Sequence, residues 1–283
     1  MQNKKLSLQY LRNFRDYLLR EEKSTATVEK YFRDVCSFLD YVGEKIVTKE
    51  ITIAYKKHLE EKQYAARSIN SMITSVNRLM DYLGWCDCKV KCMRLQREMY
   101  CSEEKELTKE EYKRLLNAAS GNEQLYMVLQ TICSTGIRVS ELKFFTVEAI
   151  RHGEVIVRCK SKTRTVLLPK SLIKELTRYI RKRGIKEGTI FVTRKGNPLD
   201  RSNIWADMKK LCCSANVNPS KVFPHNLRKL FARTFYGMEK DIAKLADILG
   251  HGNIETTRIY IMTTGSEHRQ KIESLGLVFH ENT

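Results

Sequence analysis

Up to about Lys91, apolar positions recur with the spacing of helices. Leu8, Leu11, Phe14, Leu18 and Leu19 mark one helix. Ser24 or Thr25 is placed to cap a second, with Val28, Tyr31, Phe32, Val35, Phe38 and Leu39 on its apolar face, and Gly43 is placed to end it. A third is predicted over Thr52 to Gln63. A fourth runs from Ala66 to Tyr82, with Ile69, Met72, Ile73, Val76 and Leu79 inward. Short connections between four such helices predict a bundle.

The periodicity then lapses. Lys89 to Glu106 is rich in charge and reads as a linker. Thr108 and Glu111 form the pattern of a capping box and start a new helix. Val155–Val157 and Thr165–Leu168 are β-branched or aliphatic runs flanking Lys160-Ser161-Lys162-Thr163, the pattern of a hairpin with a basic tip. Val147 to Ile150 suggests a further strand, and helical patterns dominate from Ser171 onward. The expected fold is mainly α with a small antiparallel β-sheet. Residues 1–91 form a helical domain, 92–106 a linker, and 107–283 a mixed α+β domain.

Composition narrows the partners. Lys and Arg number 51 against 33 Asp and Glu, a formal charge of +18. Such a surplus attracts polyanions, nucleic acid first among them, because neutralising phosphates releases counterions. No apolar run is long enough to span a bilayer, and no secretory signal core follows Met1, so a cytoplasmic protein that does not engage membranes is expected. Nine cysteines do not suggest a disulfide framework there, and the spacing of Cys86, Cys88, Cys92 and Cys101 is not that of a zinc site.

Four segments could carry chemistry. Arg138 follows Gly136 at the start of a predicted helix, where guanidinium and free backbone N–H groups suit a phosphate, with Glu141 one turn on to hold it. Lys160 and Lys162 lie at the hairpin tip, where a lysine could protonate a leaving oxygen. His225 and Arg228 share one helix face. His251 falls in a break after Gly250, with Asn253 capping the next helix and Tyr260 two turns along it. Each segment has a plainer reading: an Arg–Glu surface pair, a solvated turn lysine, a capping histidine, or a core tyrosine. Leu245–Tyr260 could also be a helix-turn-helix that reads DNA.

Taken in order, these segments resemble the tyrosine recombinase (phage-type integrase) family. Thr135-Gly136-Ile137-Arg138-Val139-Ser140-Glu141-Leu142 looks like its first arginine box. His225-Asn226-Leu227-Arg228 looks like its His-x-x-Arg box, and Leu249-Gly250-His251 followed by Tyr260 has its spacing from second histidine to nucleophile. Ser24 to Tyr31 resembles the family's core-binding domain. With no domain before Leu6, the chain looks like the short Xer-type members. It departs from the pattern at Lys229, where a histidine is usual, and at Ile261-Met262.

The resemblance implies that Tyr260 attacks phosphorus, keeps the 3′-phosphate and frees a 5′-hydroxyl, with no metal or nucleotide cofactor. Arg138 and Arg228 would hold the phosphate oxygens, His225 would assist proton transfer from the tyrosine, and His251 would hydrogen-bond the phosphate. Lys160, with Lys162 as the alternative, would be the general acid. It implies double-stranded DNA with a specific recombination site as partner, gripped in a two-domain clamp, and a tetramer on two sites working through a four-way junction. In the helical domain, Lys30, Arg33, Arg67, Ser71, Thr74 and Arg78 are the expected DNA contacts. Two other readings share part of the set: a type IB topoisomerase-like relaxing enzyme, and a non-catalytic helix-turn-helix regulator.

Overall fold

A computed structural model of the chain describes residues 4–96, 100–159 and 162–278. It divides into two compact units, Met1–Arg97 and Glu98–Thr283.

The first unit holds α1 (Leu8–Arg20), α2 (Thr25–Val42), α3 (Lys49–Glu61) and α4 (Ala66–Leu83). Leu11, Phe14 and Leu18 of α1 meet Val35 and Phe38 of α2 and Ile73, Val76 and Leu79 of α4 in one core. Leu8 and Leu19 remain exposed at the edges of the α1 stripe. Helix α3 starts three residues earlier than its apolar spacing predicts, because the Thr48 hydroxyl accepts from the Ile51 amide at 3.3 Å and sets the start there. Two asparagines on α4 hold the chain that follows. Asn77 accepts from the Val90 amide at 3.1 Å and donates to its carbonyl at 2.8 Å. Asn70 does the same for Met93 at 2.7 and 2.9 Å. The first part of the charged stretch is therefore fastened to the bundle.

The second unit opens with α5 (Lys109–Ala118), whose Thr108–Glu111 capping box is formed in both directions. There follow α6 (Glu123–Thr135), a 3-10 turn (Val139–Phe144), α7 (Val147–His152), β1 (Glu154–Cys159) and β2 (Lys162–Leu167). The two strands are antiparallel, with Glu154 opposite Leu167 and Cys159 opposite Lys162. Then come α8 (Lys170–Arg183), α9 (Arg201–Ala215), α10 (Pro224–Glu239), α11 (Ile242–Leu249), α12 (Ile254–Arg258) and α13 (Gly265–Glu273). The core runs through α6, with Val128, Leu129 and Ile132 buried against α10 and α8 residues such as Leu227 and Leu176.

Val147–Ile150 is helical, not a strand. Thr146 caps it, accepting from the Ala149 amide at 3.2 Å, Gly153 closes it in the left-handed region, and Val147 and Ile150 are buried one turn apart. So short a run, Val147-Glu148-Ala149-Ile150, fits either period, and the caps decide between them.

Residues 100–106 are tied to the segment after α12. The Cys101 amide donates to the Thr263 carbonyl at 3.1 Å, and the Cys101 thiol reaches the Met262 carbonyl at 3.2 Å. Glu106, nearly buried, pairs with Lys229 at 3.1 Å and Arg233 at 3.3 Å, and Arg233 also holds Glu267 at 3.0 Å. Among the described residues, no helix is long and apolar enough to cross a membrane.

Candidate active site

Arg138, His225, Arg228, His251 and Tyr260 come from four separate stretches of the second unit and converge. Helix α6 ends at Gly136, in the left-handed region at φ +64°, and the chain turns sharply into Arg138. A Cβ on Gly136 would overlap the Phe231 ring of α10, so glycine also permits the close approach of these two elements. Arg138 precedes a 3-10 turn, not an α-helix, and its own backbone amide is taken by Glu141 at 2.8 Å. Its guanidinium is held by Glu141 Oε1 at 3.0 Å, while its side chain remains 40% exposed.

Helix α10 begins with Pro224, whose fixed φ suits a first turn. His225 follows, and Arg228 lies one turn on. Arg228 is 1% exposed. It donates to the Gly136 carbonyl, to the Leu249 carbonyl at 2.7 Å and to His251 Nε2 at 2.9 Å, and its Nε is buried without a hydrogen-bond partner. Burial, with Arg138 nearby, pushes the guanidinium down to about 10, so it stays charged at neutral pH.

His251 sits in the break after α11, where Gly250 adopts φ +64°. Arginine has only donors, so Nε2 of His251 must accept; Nδ1 then carries the proton and donates to the buried Thr257 hydroxyl at 2.9 Å. Loss of solvent, then Arg228, Arg138 and Arg164, pull the imidazole down to about 4 and keep it neutral. His225 is lowered as well, first by desolvation on its packed side and then by Lys229, Arg228, Arg201 and Arg138.

Tyr260 does not lie two turns along a helix. Helix α12 stops at Arg258, and Tyr260 occupies the turn beyond it, its amide bonded to the Thr257 carbonyl at 2.9 Å. Its ring is 6% exposed and packs with Ala232, Leu245 and Leu249. His225 and His251 flank it, each with its ring centroid 5.0 Å away, and the Arg228 guanidinium lies 5.8 Å from the ring centroid. The fifth member of the set is therefore a tyrosine enclosed by two neutralised histidines and a buried cation.

A cleft of about 880 Å³ opens beside the cluster, lined by Arg138, Lys143, Arg201, His225 and Arg228 among others. Positive charge in a concave site of this kind suits a polyanion. Arg164, Arg201, Lys143 and Thr257 were not singled out from the sequence. Arg164 could have been suspected, since it alternates with the basic residues of the hairpin. Lys160 lies outside the described residues, and of Lys162 only the backbone, at the start of β2, is described.

In the first unit, Arg33 and Arg67 are exposed, as are Ser71 and Thr74 on the same side of α4. Lys30 instead pairs with Asp34 at 2.7 Å and donates to the Ser71 carbonyl at 2.8 Å. Arg78 donates to the Tyr17 hydroxyl at 2.9 Å and lies 3.6 Å from Glu21.

A model of the phage integrase family matches residues 105–267, and one of the phage integrase N-terminal SAM-like domain matches residues 11–86. The tyrosine recombinase XerA of Thermococcus kodakarensis is 28% identical over 278 residues, covering 95% of each chain. The crystal structure of a XerA recombinase covers 96% of this chain and 99% of its own, at 26% identity and a TM-score of 0.55. A lambda integrase tetramer bound to a Holliday junction shares the fold at a TM-score of 0.74 and 15% identity, over 90% of this chain and 77% of that one. The chain belongs to the phage integrase family. Its likeness to the XerA recombinases runs end to end, and it is a Xer-like, tyrosine-type site-specific recombinase.

Proposed function

We propose that this recombinase cuts and rejoins double-stranded DNA through a 3′-phosphotyrosyl intermediate on Tyr260. The observation that carries the reading is the convergence just described: one phenol, two histidines and two arginines meeting beside a cationic cleft. A DNA reader of the helix-turn-helix kind would place the Leu245–Tyr260 segment outward, and has no use for a buried arginine fork.

In this mechanism Tyr260 attacks phosphorus and the 5′ oxygen leaves. The phosphodiester's bond energy is kept in the tyrosyl ester, and a second 5′-hydroxyl reverses the step without nucleotide or metal. Arg138, partly exposed, and Arg228, rigidly held, stabilise the charge that grows on the non-bridging oxygens. A free phenol has a pKa near ~10, so proton removal needs help; His225, kept neutral, accepts that proton. His251, fixed by Thr257 and Arg228, orients Arg228 and, through it, the phosphate. Lys160 protonates the leaving oxygen, with Lys162 the alternative. The lambda integrase tetramer bound to a Holliday junction supports DNA as partner and a tetramer working through a four-way junction.

A nicked suicide duplex carrying the recombination site tests the reading. The unaltered chain should trap a covalent adduct and Tyr260→Phe should not, while still binding DNA. An adduct formed by Tyr260→Phe would remove the nucleophile assignment. A bridging 5′-phosphorothiolate, whose leaving group needs no acid, should rescue Lys160→Ala and not Lys162→Ala; the reverse would move the acid to Lys162.

A further inference from the structure

Glu141 is fully buried, and a buried carboxylate must be paired. Arg138 supplies its backbone amide to Oε2 and its guanidinium to Oε1. Arg164, from the middle of β2, supplies a fork to both oxygens, at 2.8 and 2.7 Å. Two guanidinium groups share one negative charge. Burial alone would raise the Glu141 carboxyl, but the two arginines outweigh it and hold it below the usual carboxylate range.

The two arginines differ in what else they face. Arg138 lines the cationic cleft and is 40% exposed. Arg164 has 15% of its side chain exposed, is not part of the cleft lining, and its Nε is buried without a hydrogen-bond partner. Its stem underlies the turn before His251: a Cβ on Gly250 would lie 2.7 Å from Arg164 Cδ. The carbonyls of that turn are the ones that receive Arg138 and Arg228: Leu249 accepts from Arg228 at 2.7 Å, and Gly250 from Arg138 at 3.4 Å.

We infer that Arg164 is a positioning residue, which neutralises Glu141 so that Glu141 can hold Arg138 in place without cancelling its charge towards a bound phosphate. Without Arg164, more of the Glu141 charge falls on Arg138, and the fork is drawn inward onto the carboxylate. With it, the trio carries one net positive charge, and that charge is presented by the arginine in the cleft. The same bidentate contact pins the hairpin to the Arg138 loop, so the strand that carries Lys162 is placed by the Arg138 anchor. This rests on the proposed role of Arg138 as a phosphate ligand.

The test uses the full chain with Arg164→Gln, Arg164→Lys and the double variant Glu141→Gln/Arg164→Gln. Two readouts are taken: binding of inorganic phosphate, followed through the Arg138 and Arg228 side-chain NMR signals, and the single-turnover rate of adduct formation on the nicked duplex. Arg164→Gln should weaken phosphate binding and slow the adduct by roughly 10–100-fold, as loss of an outer-shell partner does elsewhere. DNA affinity, spread over many phosphates, should change far less. Arg164→Lys keeps the charge without the fork and should fall between. The double variant removes the charge that Arg164 exists to neutralise, and should bind phosphate better than Arg164→Gln alone. Phosphate binding unchanged in Arg164→Gln would overturn the inference, and so would a double variant weaker than the single one. If Arg164→Gln does not fold, Arg164→Lys decides in its place: phosphate binding equal to that of the unaltered chain would overturn the inference. Absence of adduct from the unaltered chain would instead count against the recombinase mechanism, and the phosphate titration would still decide the role of Arg164.

Discussion

At the scale of single residues, the protonation of His251 is set by geometry and has consequences that can be measured. Arg228 donates to Nε2, which fixes the Nδ1–H tautomer, and the imidazole is held down to about 4. In the unfolded chain the same group titrates near 6.5. Between these values the unfolded state binds the proton and the folded state does not. The stabilising contribution of neutral His251 is therefore complete above about pH 6.5 and is lost as pH falls towards 4. Nitrogen-15 spectra should show a neutral Nδ1–H ring down to about pH 4, and His251→Gln should flatten the fall of melting temperature across that range. A ring that titrates near 6.5 in the folded chain would contradict the Arg228 contact. Glycine offers a second comparison. Gly136 and Gly184 share φ +64° in the same unit, yet only Gly136 faces a neighbour, the Phe231 ring. Gly184→Ala should cost about 1–2 kcal/mol of backbone strain, and Gly136→Ala clearly more, as read by denaturant unfolding.

At the scale of elements, the sequence is legible where local chemistry and period agree. Thr108 with Glu111 announces α5, and Gly43 announces the end of α2, because a cap is a contact within a few residues. The β-branched runs on either side of the basic tip give β1 and β2. Where a short segment fits two periods, the apolar pattern fails: Val147–Ile150 reads as a strand until the Thr146 cap and the burial of Val147 with Ile150 are known. Helix α12 is shorter than its pattern because its end tightens into 3-10 bonds, Tyr260 to Thr257 and Ile261 to Arg258, and the chain beyond is tied to Cys101. The boxes around Arg138, Arg228 and Tyr260 stand out by residue type and order. Arg164 does not, because its meaning depends on Glu141, 23 positions away. The asparagine clasp on α4 is likewise invisible in the sequence, and it makes a sharp prediction. Asn77→Ala should release protection of the Val90 amide from hydrogen exchange and leave Met93 protected, while Asn70→Ala should do the opposite. Equal loss at both amides in either variant would mean that the segment is held by something else.

At the scale of the whole molecule, a charge of +18 predicts binding to DNA that weakens steeply with salt. The slope should distinguish exposed cations from engaged ones. Arg33→Ala should reduce the dependence of log K on log salt by about 0.9, the value for one phosphate contact. Lys30 already pairs with Asp34 inside the bundle, so Lys30→Ala should change the slope much less. A full unit of slope lost with Lys30→Ala would show that it turns outward on binding. The tie between Cys101 and the turn after Tyr260 bears on the order in which this molecule assembles. Cys101 and Met262 are separated by 161 positions, and closing so long a loop returns little until the helices between them have packed. The second unit should thus reach most of its native structure with Tyr260 still unplaced. In a refolding reaction sampled by pulsed hydrogen exchange, the Cys101 amide should become protected after those of α6 and α10, and in native protein it should be among the first to open. On the proposed mechanism, competence to react is then the final event of folding, and a partly folded chain carries no seated tyrosine to trap DNA.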